Sequence, residues 1–363
     1  AGALALLIVV EVVVLRRRRR RLRTEEAAAA EARAHVGDDR VPWAREDGAR
    51  TATAEMDVIR IVTGAVPVVV VDDGPEPERA AVEPDGSTWR VLDQGQVPTR
   101  SIEGPDAVVA RIAETGRALL DRWPDGVTLG IGVPGRYEPV AGTTRFLVNM
   151  PGDWVDRPVA GPVAGLLGIP VALINDARAF GLAELRLGAG RGAGSMVGLT
   201  LGTGVGGVVA IDGRVLLGHD GTAGEIGHHT IDPDGPSCNC GNFGCLEAFV
   251  RADRIASACG TDTVEAAVDA ARRGDARALE GLASAGRYLG IAIANMITIV
   301  SPDRVVIGGG IAASADLLMG AIQDEVRRRV RMTSLAQVEI VTANLGTWAG
   351  AIGAALHGAE ALA

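Results

Sequence analysis

From residue 66 onward the chain alternates short β-branched runs with longer amphipathic stretches. Residues 66–71 are valine apart from Pro67 and lead into Asp72-Asp73-Gly74. Such a run, bounded by turn residues, predicts a buried strand. Similar runs at 127–133, 171–174, 196–201, 205–211, 304–307 and 338–341 predict further strands. Helical spacing between them predicts helices over 107–123, 177–187, 246–258, 279–299, 315–330 and 348–357. Strands alternating with helices imply an α/β architecture. The glycines cluster at predicted strand ends, where open α/β sheets place ligands.

The first 64 residues break this pattern. Residues 3–15 are apolar apart from Glu11, and a basic block follows, Arg16 through Arg21 with Arg23. As a helix the apolar stretch would span about 20 Å, short of a hydrocarbon core of roughly 30 Å. A secretory signal places its basic region ahead of the apolar run, the reverse of this order. Residues 24–64 hold one short alanine-rich stretch and then polar, turn-rich sequence, not two periodic helices joined by a glycine turn. We therefore read 1–64 as a poorly structured N-terminal extension. The chain has 363 residues, 47% of them hydrophobic, enough for two cored domains. They are expected over 65–176 and 177–347, with a C-terminal helix at 348–363 packing back on the smaller one.

Composition narrows the chemistry. A net charge of -9 argues against a partner held by a basic face, so no nucleic acid is expected. The chain contains no lysine; its 36 basic residues are all arginine. That excludes a Walker-type phosphate loop and any Schiff-base lysine. Three of the four cysteines fall within eight residues, and Cys259 stands apart. Clustered thiols in a large acidic chain read as metal ligands in a reducing compartment.

His228 precedes Cys238-Asn239-Cys240-Gly241-Asn242-Phe243-Gly244-Cys245 by nine intervening residues. His228, Cys238, Cys240 and Cys245 make a tetrahedral Cys3His set, which suits Zn2+ and leaves no open position. Such a zinc is structural, so the chemistry belongs to whatever the loop positions. Glu225 leads into it and Glu247 leads out. Two carboxylates at the edges of a rigid clip suit bidentate binding of neighbouring hydroxyls, although either can equally be a surface or capping carboxylate.

Three other segments stand out. Gly202-Thr203-Gly204, between two predicted strands, offers backbone N–H groups and a hydroxyl to an anion, or is simply a turn. Gly308-Gly309-Gly310, between a strand and a helix, suits a nucleotide or close packing. Asn175-Asp176 closes a strand and opens a helix. Asp176 is either the helix N-cap or a general base for a substrate hydroxyl. Asn149, in a tight loop, has an amide able to orient a hydroxyl.

Taken together, the chain from residue 66 onward resembles the ROK family of repressors, open reading frames and sugar kinases. The glycine hairpin, Gly-Glu-Ile-Gly-His and Cys-x-Cys-Gly-x-x-Gly-Cys-x-Glu occur in the family's order and spacing. The resemblance implies a two-domain actin-like ATPase fold with a cleft, and ATP-dependent, glucokinase-like phosphorylation of a hexose or N-acetylhexosamine hydroxyl. It implies Asp176 as catalytic base, and Asn149, Asn175, Glu225, His228 and Glu247 as sugar contacts. Asp72, Gly74, Gly202, Thr203 and Gly204 would face phosphate, and Gly308, Gly309 and Gly310 the adenosine. Magnesium would accompany ATP, in a cytoplasmic homodimer of bacterial type.

One segment departs from the family. Its kinases carry Asp-x-Gly-Gly-Thr at the end of the first strand, where this chain has Asp72-Asp73-Gly74-Pro75-Glu76. Pro75 lacks an N–H, and Glu76 brings a negative charge toward the phosphates. Weakened ATP binding is expected, which leaves open a sugar-binding protein with weak or lost kinase activity. A sugar-responsive regulator of the same family is the other alternative.

Overall fold

The structure is a computed structural model that describes residues 7–14, 66–72, 78–85, 88–147 and 150–362. The first half contains β1 (Leu7–Val14), β2 (Val66–Asp72), β3 (Glu78–Asp85), β4 (Thr88–Gln96), α1 (Pro105–Arg122), β5 (Gly126–Val133), β6 (Arg136–Glu138), β7 (Thr143–Phe146), β8 (Arg157–Pro158), α2 (Ala160–Leu167) and β9 (Val171–Asn175). The second half contains α3 (Asp176–Leu187), β10 (Ser195–Leu201), β11 (Val205–Ile211), β12 (Arg214–Val215), α4 (Glu247–Val250), α5 (Ala252–Cys259), α6 (Val264–Arg272), α7 (Ala276–Val300), β13 (Arg304–Gly308), α8 (Ala315–Arg329), β14 (Glu339–Thr342) and α9 (Ala349–Glu360).

These strands build two principal sheets. The first has the order β4-β3-β2-β1-β5-β9, and the second β12-β11-β10-β13-β14. In the first, β5 and β9 are parallel while β1 runs antiparallel to both β2 and β5. In the second, β10, β13 and β14 are parallel and β11 returns antiparallel beside β10. A small antiparallel sheet, β6-β7-β8, caps the first.

The predicted strands from residue 66 onward all form, each within a residue of its expected ends. The N-terminus differs from expectation. Leu7–Val14 is a strand inside the first sheet, paired on both edges, rather than part of a structureless extension. An eight-residue run of Leu, Ile and Val around a single glutamate has the length and β-branching of a strand. The rest of the proposed extension lies outside the described residues. The helix predicted over 246–258 is two helices, broken where Arg251 takes an extended conformation. β3, β4, α2 and α6 were not foreseen.

Each sheet has its own core. One joins α1 and α2 to β5 and β9 through Ile112, Leu129, Ile131, Val163 and Leu173. The other joins β10 and β13 to α5, α7 and α8 through Leu199, Ile255, Leu289, Ile293, Val305 and Ile322. Helix α7 is long and apolar enough to cross a membrane by length and composition alone. Its buried face packs within this core, which is the ordinary reason for such composition. A third cluster spans the two sheets, with α3 and α9 between Ala80, Val82 and Ile174 on one side and Met196, Val208 and Val306 on the other. Gly353 makes that packing possible, because a Cβ there would sit 1.6 Å from Ala179 O. The head of α3 therefore lies where the two sheets meet.

Candidate active site and metal centre

The end of β9 fixes the start of α3. Asn175 is the N-cap: its Oδ1 accepts from the N–H groups of Ala177 at 3.1 Å and Arg178 at 3.2 Å. Its Nδ2 donates to Gly135 O at 3.3 Å, tying in the turn after β5. A polar side chain just before a helix satisfies orphan N–H groups in this way. Because Asn175 caps the helix, the partly buried Asp176 needs only the 2.8 Å bond from its neighbour Ala177 N. Burial raises the Asp176 carboxyl to about 6, with the Ala177 N–H opposing, Glu225 adding to the rise and Arg178 working against it. A carboxylate with such a pKa is poised to accept a proton near neutrality.

The glycine hairpin lies against this helix start. A Cβ on Gly206 would come within 2.6 Å of Ala177 Cβ, and one on Gly207 within 2.3 Å of Gly224 O. Gly227 similarly abuts Val205 O. The hairpin thus joins Asp176 to the segment that carries Glu225 and His228. At its tip, Gly202 N–H donates to Gly204 O at 3.0 Å, Ala252 N–H to Gly202 O at 3.0 Å, and Thr203 is exposed. Thr200 pairs with Gly308 across the parallel strands. The exposed Gly309, with φ of +87°, passes so close to Leu201 O that a Cβ would sit 2.3 Å away. Both glycine motifs therefore share one sheet end. Gly308 itself is accounted for by packing, since a Cβ there would strike the Phe180 ring.

Glu247 ties the hairpin to the cysteine loop. Its Oε2 accepts from Val205 N–H at 2.9 Å, and its Oε1 lies 3.9 Å from Cys238 Sγ. One donor atom from each of His228, Cys238, Cys240 and Cys245 lies within 4.8 Å of all the others. Cys238 Sγ is 3.7 Å from His228 Nδ1, and Cys240 Sγ is 3.7 Å from Cys245 Sγ. A tetrahedral ion with metal–sulfur bonds of about 2.3 Å has sulfur–sulfur edges of about 3.8 Å. The four donors therefore fit a tetrahedral metal ion, whereas the sulfur spacing is far beyond a disulfide bond. Burial pushes the Cys238 thiol up to about 12 without metal, so a bound cation is what would hold it as thiolate. Gly244 lets the loop close, with φ of +64° and Asp232 O only 1.6 Å from where a Cβ would be. With Nδ1 toward the thiols, the other ring nitrogen of His228 is left for a further partner.

Some expected site residues are not placed. Asp72 ends β2, while Gly74, Pro75, Glu76 and Asn149 lie outside the described residues. Two residues were missed. Arg178 is 1% exposed, and Tyr137 is buried at 3%. Arg178 Nη2 donates to Ala223 O at 2.7 Å and Glu225 Oε1 at 3.1 Å. The signal for it was an arginine among Ala177, Ala179 and Phe180, on the apolar side of a predicted helix.

Known proteins resemble the chain over most of its described length. The ROK family profile matches residues 79–359. Glucokinase from Thermotoga maritima is 37% identical over 266 residues, covering 68% of this chain and 83% of that protein. The structure of a ROK hexokinase from Thermus thermophilus is similar with a TM-score of 0.70 and 34% identity, over 78% of this chain and 95% of that one. A ROK family glucokinase from Streptomyces griseus, solved in complex with glucose and AMPPNP, gives a TM-score of 0.67 at 27% identity over 78% and 96%. Repressors match too: the DNA-binding transcriptional repressor Mlc of Escherichia coli is 30% identical over 216 residues, 55% of this chain and 53% of that protein. The fold is the actin-like ATPase fold in its sugar-kinase form, and the chain belongs to the ROK family.

Proposed function

We propose that this chain is an ATP-dependent sugar kinase that phosphorylates a hydroxyl of a hexose or N-acetylhexosamine. The observation that carries this reading is the placement of Asp176. Its carboxyl heads a helix at the junction of the sheets, is raised to about 6, and is linked through one hairpin to Glu225, His228 and Glu247. A base within reach of a hydroxyl, beside groups able to hold neighbouring hydroxyls, is what phosphoryl transfer to an alcohol requires.

In this reading Asp176 accepts the proton of the attacking hydroxyl. Glu225, Glu247 and the free ring nitrogen of His228 fix the sugar's other hydroxyls, a role the family resemblance extends to Asn149. Asn175 contributes chiefly by capping, and its second amide hydrogen is available to the sugar. Thr203 and Gly204 offer the phosphates backbone N–H groups, beside Gly202, whose own N–H closes the hairpin tip; the family resemblance adds Asp72 and Gly74 to the phosphate contacts and assigns Gly308, Gly309 and Gly310 to the adenosine. Mg2+ arriving with ATP supplies the positive charge that the lysine-free chain does not. His228, Cys238, Cys240 and Cys245 hold a structural Zn2+ that keeps His228 and Glu247 in place. By family resemblance the protein acts as a cytoplasmic homodimer without nucleic acid.

A second reading is a sugar-binding protein with little turnover, or a sugar-responsive regulator. Pro75 and Glu76 favour it, and so does the likeness to repressors. Mass spectrometry of sugars incubated with the protein and Mg–ATP separates the two. A phosphorylated hexose or N-acetylhexosamine supports the kinase; unmodified sugars throughout would leave the binding protein.

A further inference from the structure

Among the described residues, one cation is buried beside the proposed base. Arg178 lies two residues after Asp176 and is 1% exposed. A charge so buried is costly, and apolar replacements of buried ion pairs are often neutral or stabilising. Fold stability therefore explains Arg178 poorly, especially as Asn175 already caps the helix.

Its partners are more informative. Through Nη2 it grips both ends of the Ala223–Gly224–Glu225 turn, at Ala223 O and at Glu225 Oε1. Gly224, between them, has φ of +90° and lies against Val208. Arg178 Nε has no hydrogen-bond partner, nor does the buried hydroxyl of Tyr137, which is close enough to feel the Arg178 charge. Buried polar atoms are normally satisfied, so each of these two is open to a polar partner.

We propose that Arg178 is a positioning residue: its guanidinium locks the Glu225 carboxylate to the helix headed by Asp176, so that the group orienting the sugar and the group taking its proton move as one body. Its free Nε–H donates to the oxygen of a sugar hydroxyl, or of a water carried in with it, and the Tyr137 hydroxyl is open to a polar partner of its own. The inference rests on the sugar-kinase reading of the site.

The test uses the full chain and the variants R178M, R178K, E225Q and R178M/E225Q. Hexose affinity is measured by calorimetry without nucleotide, then kcat, the KM of each substrate and the melting temperature. R178M is expected to weaken hexose binding about tenfold or more and lower kcat, with the KM for Mg–ATP within about twofold, as for coupled residues in one network. R178K restores part of the loss, and the double variant is no worse than the poorer single one. If R178M does not fold, the comparison of R178K with E225Q carries the test. The proposal is overturned if folded R178M binds and turns over like wild type, or if the two single losses simply add. A wild type that binds hexose without turnover refutes the kinase reading, while the affinities still decide on Arg178. A wild type that binds no hexose refutes both.

Discussion

The backbone N–H of Val205 donates to the Glu247 carboxylate at 2.9 Å, and this bond joins the glycine hairpin to the cysteine loop. A Cβ on the adjacent Gly204 would lie 2.6 Å from the same oxygen. The carboxylate thus fills the space beside the hairpin tip and holds it from below. Removing it in Glu247→Ala leaves Val205 N–H without that acceptor, and hydrogen bonds to charged groups contribute about 1.5–3 kcal/mol. Chemical denaturation should register a loss of that order, with a raised KM for the sugar. Unchanged stability would mean that the joint carries no strain or support.

The metal centre predicts one ion per chain. Elemental analysis of purified protein should find zinc in that ratio, and Cys240→Ser should lower metal affinity by more than about 100-fold, since loss of even an outer-shell partner costs about 10–100-fold. Chelation should lower both the melting temperature and the sugar affinity, because His228 and Glu247 lose their anchor. Zinc-free protein with full sugar affinity would contradict the positional role.

Asp176 sets an acid limit. Its carboxyl is raised to about 6, so the base form is lost as pH falls through that value. Turnover per KM should drop about tenfold per pH unit below it, and Asp176→Asn should cost about 100-fold to 10,000-fold in kcat. Stability moves the other way. The folded pKa lies above the ordinary value of 3.8, so the native state binds the extra proton and loses stability as pH rises through this window. Asp176→Asn should therefore be more stable than wild type at pH 8, by at most about 3 kcal/mol. Melting curves at pH 4 and pH 8 check the sign.

Much of this was legible locally. The strand runs, the glycine motifs and the Cys3His spacing are short-range patterns, and the structure brings Glu225, His228, Glu247 and Gly202–Gly204 into one connected region. What could not be read depends on contacts far apart in the chain. Both Asn175 and Asp176 are able to cap a helix, and only the geometry selects Asn175. Arg178 gains meaning from Ala223 and Glu225, more than forty residues away. β3 and β4 carry charges at Glu83, Arg90 and Asp93 that break apolar alternation, yet Val82, Trp89 and Val91 pack into the cluster between the sheets. Helix α6 was readable, with Thr263 capping an apolar repeat.

The first phosphate segment yields a gain-of-function prediction. Replacing Pro75→Gly and Glu76→Thr restores an N–H and removes a negative charge. Two like charges near 4 Å cost about 1 kcal/mol in water and several at lower effective dielectric. The double variant should bind Mg–ATP about fivefold to 100-fold more tightly by calorimetry. Equal affinity in both proteins would show that the departure from the family motif is harmless.

The reaction proposed for this site is phosphoryl transfer to a sugar. Coupled measurement of ATP consumption over a panel of hexoses and N-acetylhexosamines tests it most directly. Sugar-dependent turnover with at least one member of the panel, lost in Asp176→Asn, is the predicted result. Sugar binding without sugar-dependent ATP consumption anywhere in the panel would contradict it.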